Sequence, residues 1–210
     1  IVTDELLLAY DAGSERSYSG SGTTASNIID SSTGTLVNGV AFNSANGGYW
    51  EFDGTDDYIS IANSKSPQFT ANQSFTISYT VKLNSITGGF WAPVMKGGFG
   101  QSYGHLILTD DLLVYTDTDS SPEYTFNNVF TNDANKWVFI TQTYDGNRIY
   151  LYRNGELFGQ SGTGIGFTTS TAPLYFGSHN ATGYYLNGSM ATVKMYNKAL
   201  SAAEVLQNFK

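Results

Sequence analysis

At 210 residues, with 13% charged residues, 15% aromatics and 23 glycines, the chain suits one all-β domain and is too aromatic for a disordered segment. A net charge of −8 with only ten Lys and Arg excludes the cation clusters that nucleic acid or an anionic membrane surface requires. No apolar run approaches the roughly 20 residues that span a bilayer, and the lack of cysteine removes disulfides and Cys-ligated metals.

The first residue is Ile, so a processed chain or a segment of a longer one is expected, and no signal peptide is visible. Leu6–Tyr10 reads as a buried strand, followed by a Ser-, Gly- and Thr-rich loop to Ile29. Thr35–Val37 and Val40–Phe42 flank Asn38-Gly39, and Tyr49–Phe52 and Tyr58–Ile61 flank Asp53-Gly54-Thr55-Asp56; both read as hairpin-like units. Phe75–Leu83 alternates, with Phe75, Ile77, Tyr79, Val81 and Leu83 on a buried face and Thr76, Ser78, Thr80 and Lys82 on a wet one. Phe90–Met95, His105–Leu108 and Leu112–Tyr115 are further strands, and a variable stretch follows from Thr116 to Asn135.

Trp137–Gly159 carries the clearest signal in the chain. Three strand-forming runs are separated by Asp145-Gly146 and Asn154-Gly155, dipeptides that accept the positive φ of tight hairpin turns, so a three-stranded antiparallel meander is predicted. Gly162–Thr171 is polar and glycine-rich, Leu174–Phe176 is a short strand, and Tyr185–Tyr196 is a long closing strand with a bend at Asn187-Gly188. Ser201–Phe209 is the one predicted helix; Ser201 and Glu204 form a capping box. Many short strands without a βαβ rhythm imply an all-β, two-sheet antiparallel sandwich with one short C-terminal helix, in a single domain over residues 1–210.

Four stretches carry a resemblance: YWEFDGTDDYISI (49–61), FTISYTVKL (75–83), KWVFITQTYDGNRIYLYRNGEL (136–157) and NGSMATVKMYNKALSAAEVLQNFK (187–210). Together they resemble the laminin-G-like, concanavalin-A-like jelly-roll superfamily. YDAGSERSYSGSGTT (10–24) and LVNGVAFNSANGGYWEFDGTDDY (36–58) are similar to the opening of laminin-G-like domains in bacteriophage virion proteins; such domains also occur in bacterial surface proteins. The resemblance implies a capsid-associated, tail or fibre module at the virion surface, with other virion proteins among its partners. Its alternatives are a purely structural decoration domain and the accessory carbohydrate-binding module of a secreted glycosidase.

Catalysis is not expected. Glycosidases of this superfamily carry three alternating carboxylates on one strand; here Glu51 and Asp53 share a parity, but Thr55 stands third. There is no G-x-S-x-G elbow, and His105 and His179 are isolated in sequence. Asp53, Asp56 and Asp57 offer three carboxylates from one turn, a possible Ca2+ site, with Asp117 and Asp119 a second, weaker cluster. Relatives place an acidic ligand on the closing strand where this chain has Met190-Ala191-Thr192, and Asp53 as a plain Asx-turn residue is the competing reading.

The remaining chemistry is sugar recognition, in which aromatic rings cover C–H faces and polar groups bond hydroxyls. The candidate ligand residues are Trp91, Phe99, Gln101, Tyr103, His105, His179, Asn180 and Tyr184. Trp91, Phe99 and Tyr103 are bracketed by Gly88-Gly89 and Gly97-Gly98, which suggests exposed loops; the competing reading is ordinary core packing. A carbohydrate or host cell-surface glycan is the expected partner, and oligomerisation is left open.

Overall fold

The structure, a computed structural model, describes residues 1–70, 72–97, 103–116 and 124–210. In chain order the early strands are β1 (Leu6–Asp11), β2 (Thr24–Ser26), β3 (Thr33–Val37), β4 (Ala41–Asn43), β5 (Tyr49–Asp53) and β6 (Tyr58–Ile61). The middle of the chain supplies β7 (Phe75–Leu83), β8 (Phe90–Lys96), β9 (Gly104–Leu108), β10 (Asp111–Tyr115) and β11 (Tyr124–Phe126). The last third supplies β12 (Trp137–Tyr144), β13 (Ile149–Arg153), β14 (Glu156–Gln160), β15 (Leu174–Phe176), β16 (Asn187–Tyr196) and helix α1 (Ala202–Phe209).

Two eight-stranded antiparallel sheets enclose the core. The first runs β14-β13-β12-β7-β16-β5-β4, with β1 also paired to β16; the second runs β11-β10-β9-β8-β15-β6-β3-β2. The predicted all-β sandwich with a single short helix is therefore the observed architecture. Facing rows of Phe75, Ile77, Tyr79 and Val81 from β7, Ile140 from β12, Val193 from β16, Val94 and Ile107 from β8 and β9, and Phe176 from β15 form one continuous cluster. Each of these side chains is at most 1% exposed, as strand alternation demands of the inner face.

The meander forms as its turns require. Asn154 and Gly155 take φ of 51° and 82°, both left-handed, and Asp145 Oδ1 accepts the backbone N–H of Asn147 and Arg148 at 2.9 and 2.8 Å. The meander occupies one end of the first sheet, with β14 at the edge.

The two other hairpin-like readings are corrected. β3 lies in the second sheet and β4 in the first, and β5 and β6 are likewise divided, so Asn38-Gly39 and Asp53–Asp57 carry the chain between sheets. A positive-φ turn reverses direction; sheet membership follows from partners far away in sequence, β16 for β5 and β15 for β6. β2 and β11 were not foreseen. Each is three residues long and pairs with one neighbour, β3 or β10.

The outer face of β7 is also drier than alternation suggests. Thr76 and Ser78 are buried, and Thr76 bonds both the Lys198 carbonyl and the Leu200 N–H beneath the helix approach. The helix starts at the predicted capping box, in which Ser201 N donates to Glu204 Oε2 at 2.8 Å. Val205 then joins Val2, Tyr152, Tyr196 and Leu200 in a second cluster. Eight residues would not hold a helix in water; this packing does.

Candidate functional site

The sequence-derived ligand residues separate into two groups. Trp91, Tyr103 and His105 point into the sandwich and are 6%, 1% and 0% exposed, so they offer no surface platform, contrary to the expectation from their glycine neighbours. The glycine at 89 does not expose the indole; it makes room for it. A Cβ there would lie 2.4 Å from the Trp91 ring. The Tyr103 hydroxyl donates to the Pro67 carbonyl at 2.9 Å, and its ring packs on Phe69 and Phe75. Phe99 and Gln101 lie outside the described residues, as do Asp117 and Asp119.

His105 belongs to a polar line across the core. Its Nδ1 is 3.1 Å from the Tyr79 hydroxyl, and its Nε2 meets Gln142 Oε1. Burial lowers its pKa to about 4, against a smaller raising effect from Gln142, so the ring is neutral in the folded protein. With a neutral ring, Tyr79 O–H donates to Nδ1 and Nε2–H donates to Gln142, whose own Nε2 has no partner among the described residues. Nothing in this line reaches solvent, so it cannot serve as an acid or base toward an external substrate.

The second group comes together. β15 sits between β8 and β6, and the loop that follows it, 177–186, folds over the end of the second sheet. Gly177 N–H bonds the Pro93 carbonyl, His179 pairs with Gly183, and Ala92 N–H bonds the Tyr184 carbonyl. His179 and Tyr184 meet edge-on at 5.3 Å between ring centroids, and Tyr184 meets Phe90 at 5.5 Å. Phe90 is 45% exposed and Tyr184 38%, His179 is half-buried, and Asn180 is exposed. Burial lowers the His179 pKa, which keeps its imidazole neutral near pH 7.

This loop holds an unusual backbone. Asn180, Ala181 and Tyr184 have φ of 55°, 55° and 51°, and left-handed conformations cost a non-glycine residue free energy. Such conformations cluster where surrounding structure holds side chains for a purpose. The sequence marks Phe90 only as a strand residue; its place at the first position of β8, directly after Gly88-Gly89, is the signal that it stands at a sheet end. Tyr185 extends the rim towards β6, stacking with Tyr58 at 6.4 Å and donating its hydroxyl to the Ala181 carbonyl. Burial, then Tyr58 and Asp56, push its phenol pKa up, which brings the acidic turn to the same rim.

Within that turn, one carboxylate oxygen from each of Asp53, Asp56 and Asp57 lies within 4.8 Å of the others. Asp53 Oδ1 accepts Thr55 N–H at 2.7 Å and Asp56 N–H at 3.3 Å, and Asp57 Oδ2 accepts Asp53 N–H at 3.1 Å. The Thr55 hydrogen bond lowers the Asp53 pKa, whereas burial raises that of Asp57. Calcium takes six to eight oxygens, and β16 places Asn187, not an acid, opposite Asp53. Asp53 and Asp57 already accept backbone N–H groups, the pattern of an Asx turn, and a calcium ion held by these three carboxylates would need further oxygens from outside the turn.

The candidate catalytic pair is equally committed. Asn43 Nδ2 donates to Glu51 at 3.5 Å, and Asp53 holds its turn.

Comparisons with known proteins agree on the fold. No curated protein sequence matches the chain. Among solved structures, the binding domain of botulinum neurotoxin serotype D aligns at 13% identity and a TM-score of 0.77, covering 98% of this chain and 51% of that one. The binding domain of botulinum neurotoxin DC in complex with SialylT aligns at 15% and 0.76, with 98% and 51% covered. That of Paraclostridial mosquitocidal protein 1 aligns at 17% and 0.76, with 98% and 52% covered. The chain thus spans about half the length of these structures. A family model described as the concanavalin A-like lectin/glucanases superfamily matches residues 53–206, nearly three-quarters of the chain, and the chain belongs to that superfamily.

Proposed function

We propose that the domain is a non-catalytic binding module that recognises a host-surface glycan through the rim of Phe90, His179, Asn180 and Tyr184, displayed on a bacteriophage virion. The observation that carries the reading is the convergence of Tyr184, a neutral His179 imidazole and the exposed Asn180 amide, all on one strained loop, with the exposed Phe90 ring of β8. Sugar C–H faces stack on the rings of Tyr184 and Phe90, while Asn180 and His179 exchange hydrogen bonds with hydroxyls. A neutral imidazole can both donate and accept, which suits a sugar hydroxyl.

A shallow site of this kind with a millimolar Kd supplies only about 4 kcal/mol; many copies on one particle raise the effective affinity through avidity. The virion setting is supported by the resemblance of residues 10–24 and 36–58 to the opening of phage laminin-G-like domains, and other virion proteins are then its neighbours. The absence of catalysis is supported by the buried, neutral His105 and by the turn and strand roles of Asp53 and Glu51.

A glycan array probed with the wild-type domain and with Tyr184→Ala tests the reading. Binding by the wild type that weakens at least tenfold in the variant supports it. If neither protein binds any glycan and the domain docks only to particles, a purely structural decoration role replaces it. Capsid, portal or tail genes beside the coding sequence would support the virion setting; a catalytic domain in the same reading frame would replace it with an accessory module.

A further inference from the structure

The outer face of the first sheet carries a second site. Lys194 on β16 lies opposite Ser78 of β7 and Ala9 of β1, and it is only 8% exposed. The sheet covers its stem, while its ammonium makes neither a hydrogen bond nor an ion pair among the described residues and faces two cavities. Burial lowers its pKa, and the nearby Asp11 partly offsets this.

Two cavities meet at this lysine. One, of about 440 Å³, is lined chiefly by Ile1, Leu6, Ala9, Ile28 and Ile29, with Asp11 and Arg16 at its border. The other, of about 220 Å³, is lined by the aromatics Trp137, Phe139 and Phe209 and by the polar residues Thr80, Thr192, Asn154 and Asn208. Phe139 and Phe209 stack at 5.9 Å. Trp137 is half-buried, edge-on to Tyr49 at 5.2 Å, and Lys82 lies over both rings. The Thr80 and Thr192 hydroxyls are 3.1 Å apart, and Asn154 accepts the Phe139 N–H at 2.9 Å through its oxygen, leaving its NH2 as a donor.

We infer that the 220 Å³ cavity is a binding subsite for a single pyranose carrying one carboxylate, a hexuronate or a sialate, with the carboxylate on Lys194 and the ring against Trp137. The volume lies below the roughly 300 Å³ at which pockets for drug-sized ligands begin, so one sugar ring is the natural occupant. Lys194 is the one charged group in the lining, which suits a monoanion better than a phosphate dianion. Aromatic rings beside hydroxyls and amides are the lining that a sugar's apolar face and hydroxyl edge require. An incoming carboxylate would give the ammonium a charge-assisted hydrogen bond that no described residue supplies. This site lies on the sheet opposite the rim and stands apart from it.

The test titrates the full 210-residue chain separately with sodium D-glucuronate, N-acetylneuraminate and D-glucose, following the Trp137 indole N–H by NMR. Perturbation by either acid with a Kd on the order of millimolar, at least about tenfold tighter than glucose, is the expected result. Which acid binds tells hexuronate from sialate. Lys194→Met, which keeps a long aliphatic stem in the covered position and removes the charge, is expected to fold and to lose that preference, whereas Tyr184→Ala keeps it. Equal response to glucose and both acids, no response to any of them, or unchanged acid binding in a folded Lys194→Met would overturn the assignment. Tyr184-dependent binding on the glycan array would survive each of those outcomes.

Discussion

Two histidines, each set against a tyrosine, occupy opposite environments in this molecule. His105 is fully buried, 3.1 Å from the Tyr79 hydroxyl and bonded to Gln142 in the middle of the sandwich; His179 lies half-buried at the rim, edge-on to an exposed Tyr184. Both pKa values are lowered by burial, so both rings are neutral near pH 7. The identical side-chain pairing is structural in one place and accessible in the other. Residue type carries the chemistry, and burial decides whether anything outside can use it.

The contrast can be broken most forcefully at the buried group. Trp91→Ala is expected to cost about 3–5 kcal/mol in urea unfolding, because it empties an interior position. Loss of glycan binding at unchanged stability would instead return Trp91 to the surface.

Next in size is the acid limb of stability. The His105 pKa is about 4 when folded and about 6.5 when unfolded, so the unfolded chain binds the proton first as pH falls. Stability from this group is complete above about pH 6.5 and is lost down to about pH 4, amounting to roughly 3 kcal/mol. His105→Asn should flatten that limb, and His179→Asn should change it less.

At the rim the effects are smaller. Ala181→Gly relieves a left-handed φ of 55° and should stabilise the domain by about 1 kcal/mol in thermal unfolding. Asp57→Asn keeps an acceptor for Asp53 N–H while removing a carboxylate whose pKa burial raises, so it should increase the melting temperature slightly at neutral pH. By the same sign, acidification through the carboxylate range favours the fold at this position. Calcium or a chelator should leave the transition unchanged; an upward shift with calcium, abolished in Asp57→Asn, would show the turn to be a metal site. Tyr184→Ala should alter stability by no more than about 0.5 kcal/mol while weakening glycan binding at the rim at least tenfold, the sharpest separation of rim from core.

The sheets were legible where local chemistry is strong. Phe75–Leu83 alternates without a break, Asn154-Gly155 accepts two left-handed residues in succession, and Ser201 with Glu204 caps the helix. Legibility failed where pairing is remote. β2 and β11 are three-residue strands with little intrinsic preference, and β5 and β6 each have one neighbour, β16 and β15, more than a hundred residues away. At the site, Gly88-Gly89 correctly marked a sheet end, but the side chain it exposes is Phe90. Trp91, the next residue, points inward, because successive strand residues face opposite ways.

The order of the chain by itself therefore determined the class of fold, the meander turns, the helix cap and the poverty of cations, since each depends on residues near one another or on composition. Only the tertiary structure decided which aromatics are accessible, that His179, Asn180 and Tyr184 share a rim with Phe90, and that the Lys194 stem is covered while its ammonium faces two cavities. Those properties arise when two sheets close on each other. Burial is set by elements from distant parts of the chain, and no local pattern encodes what will cover a side chain.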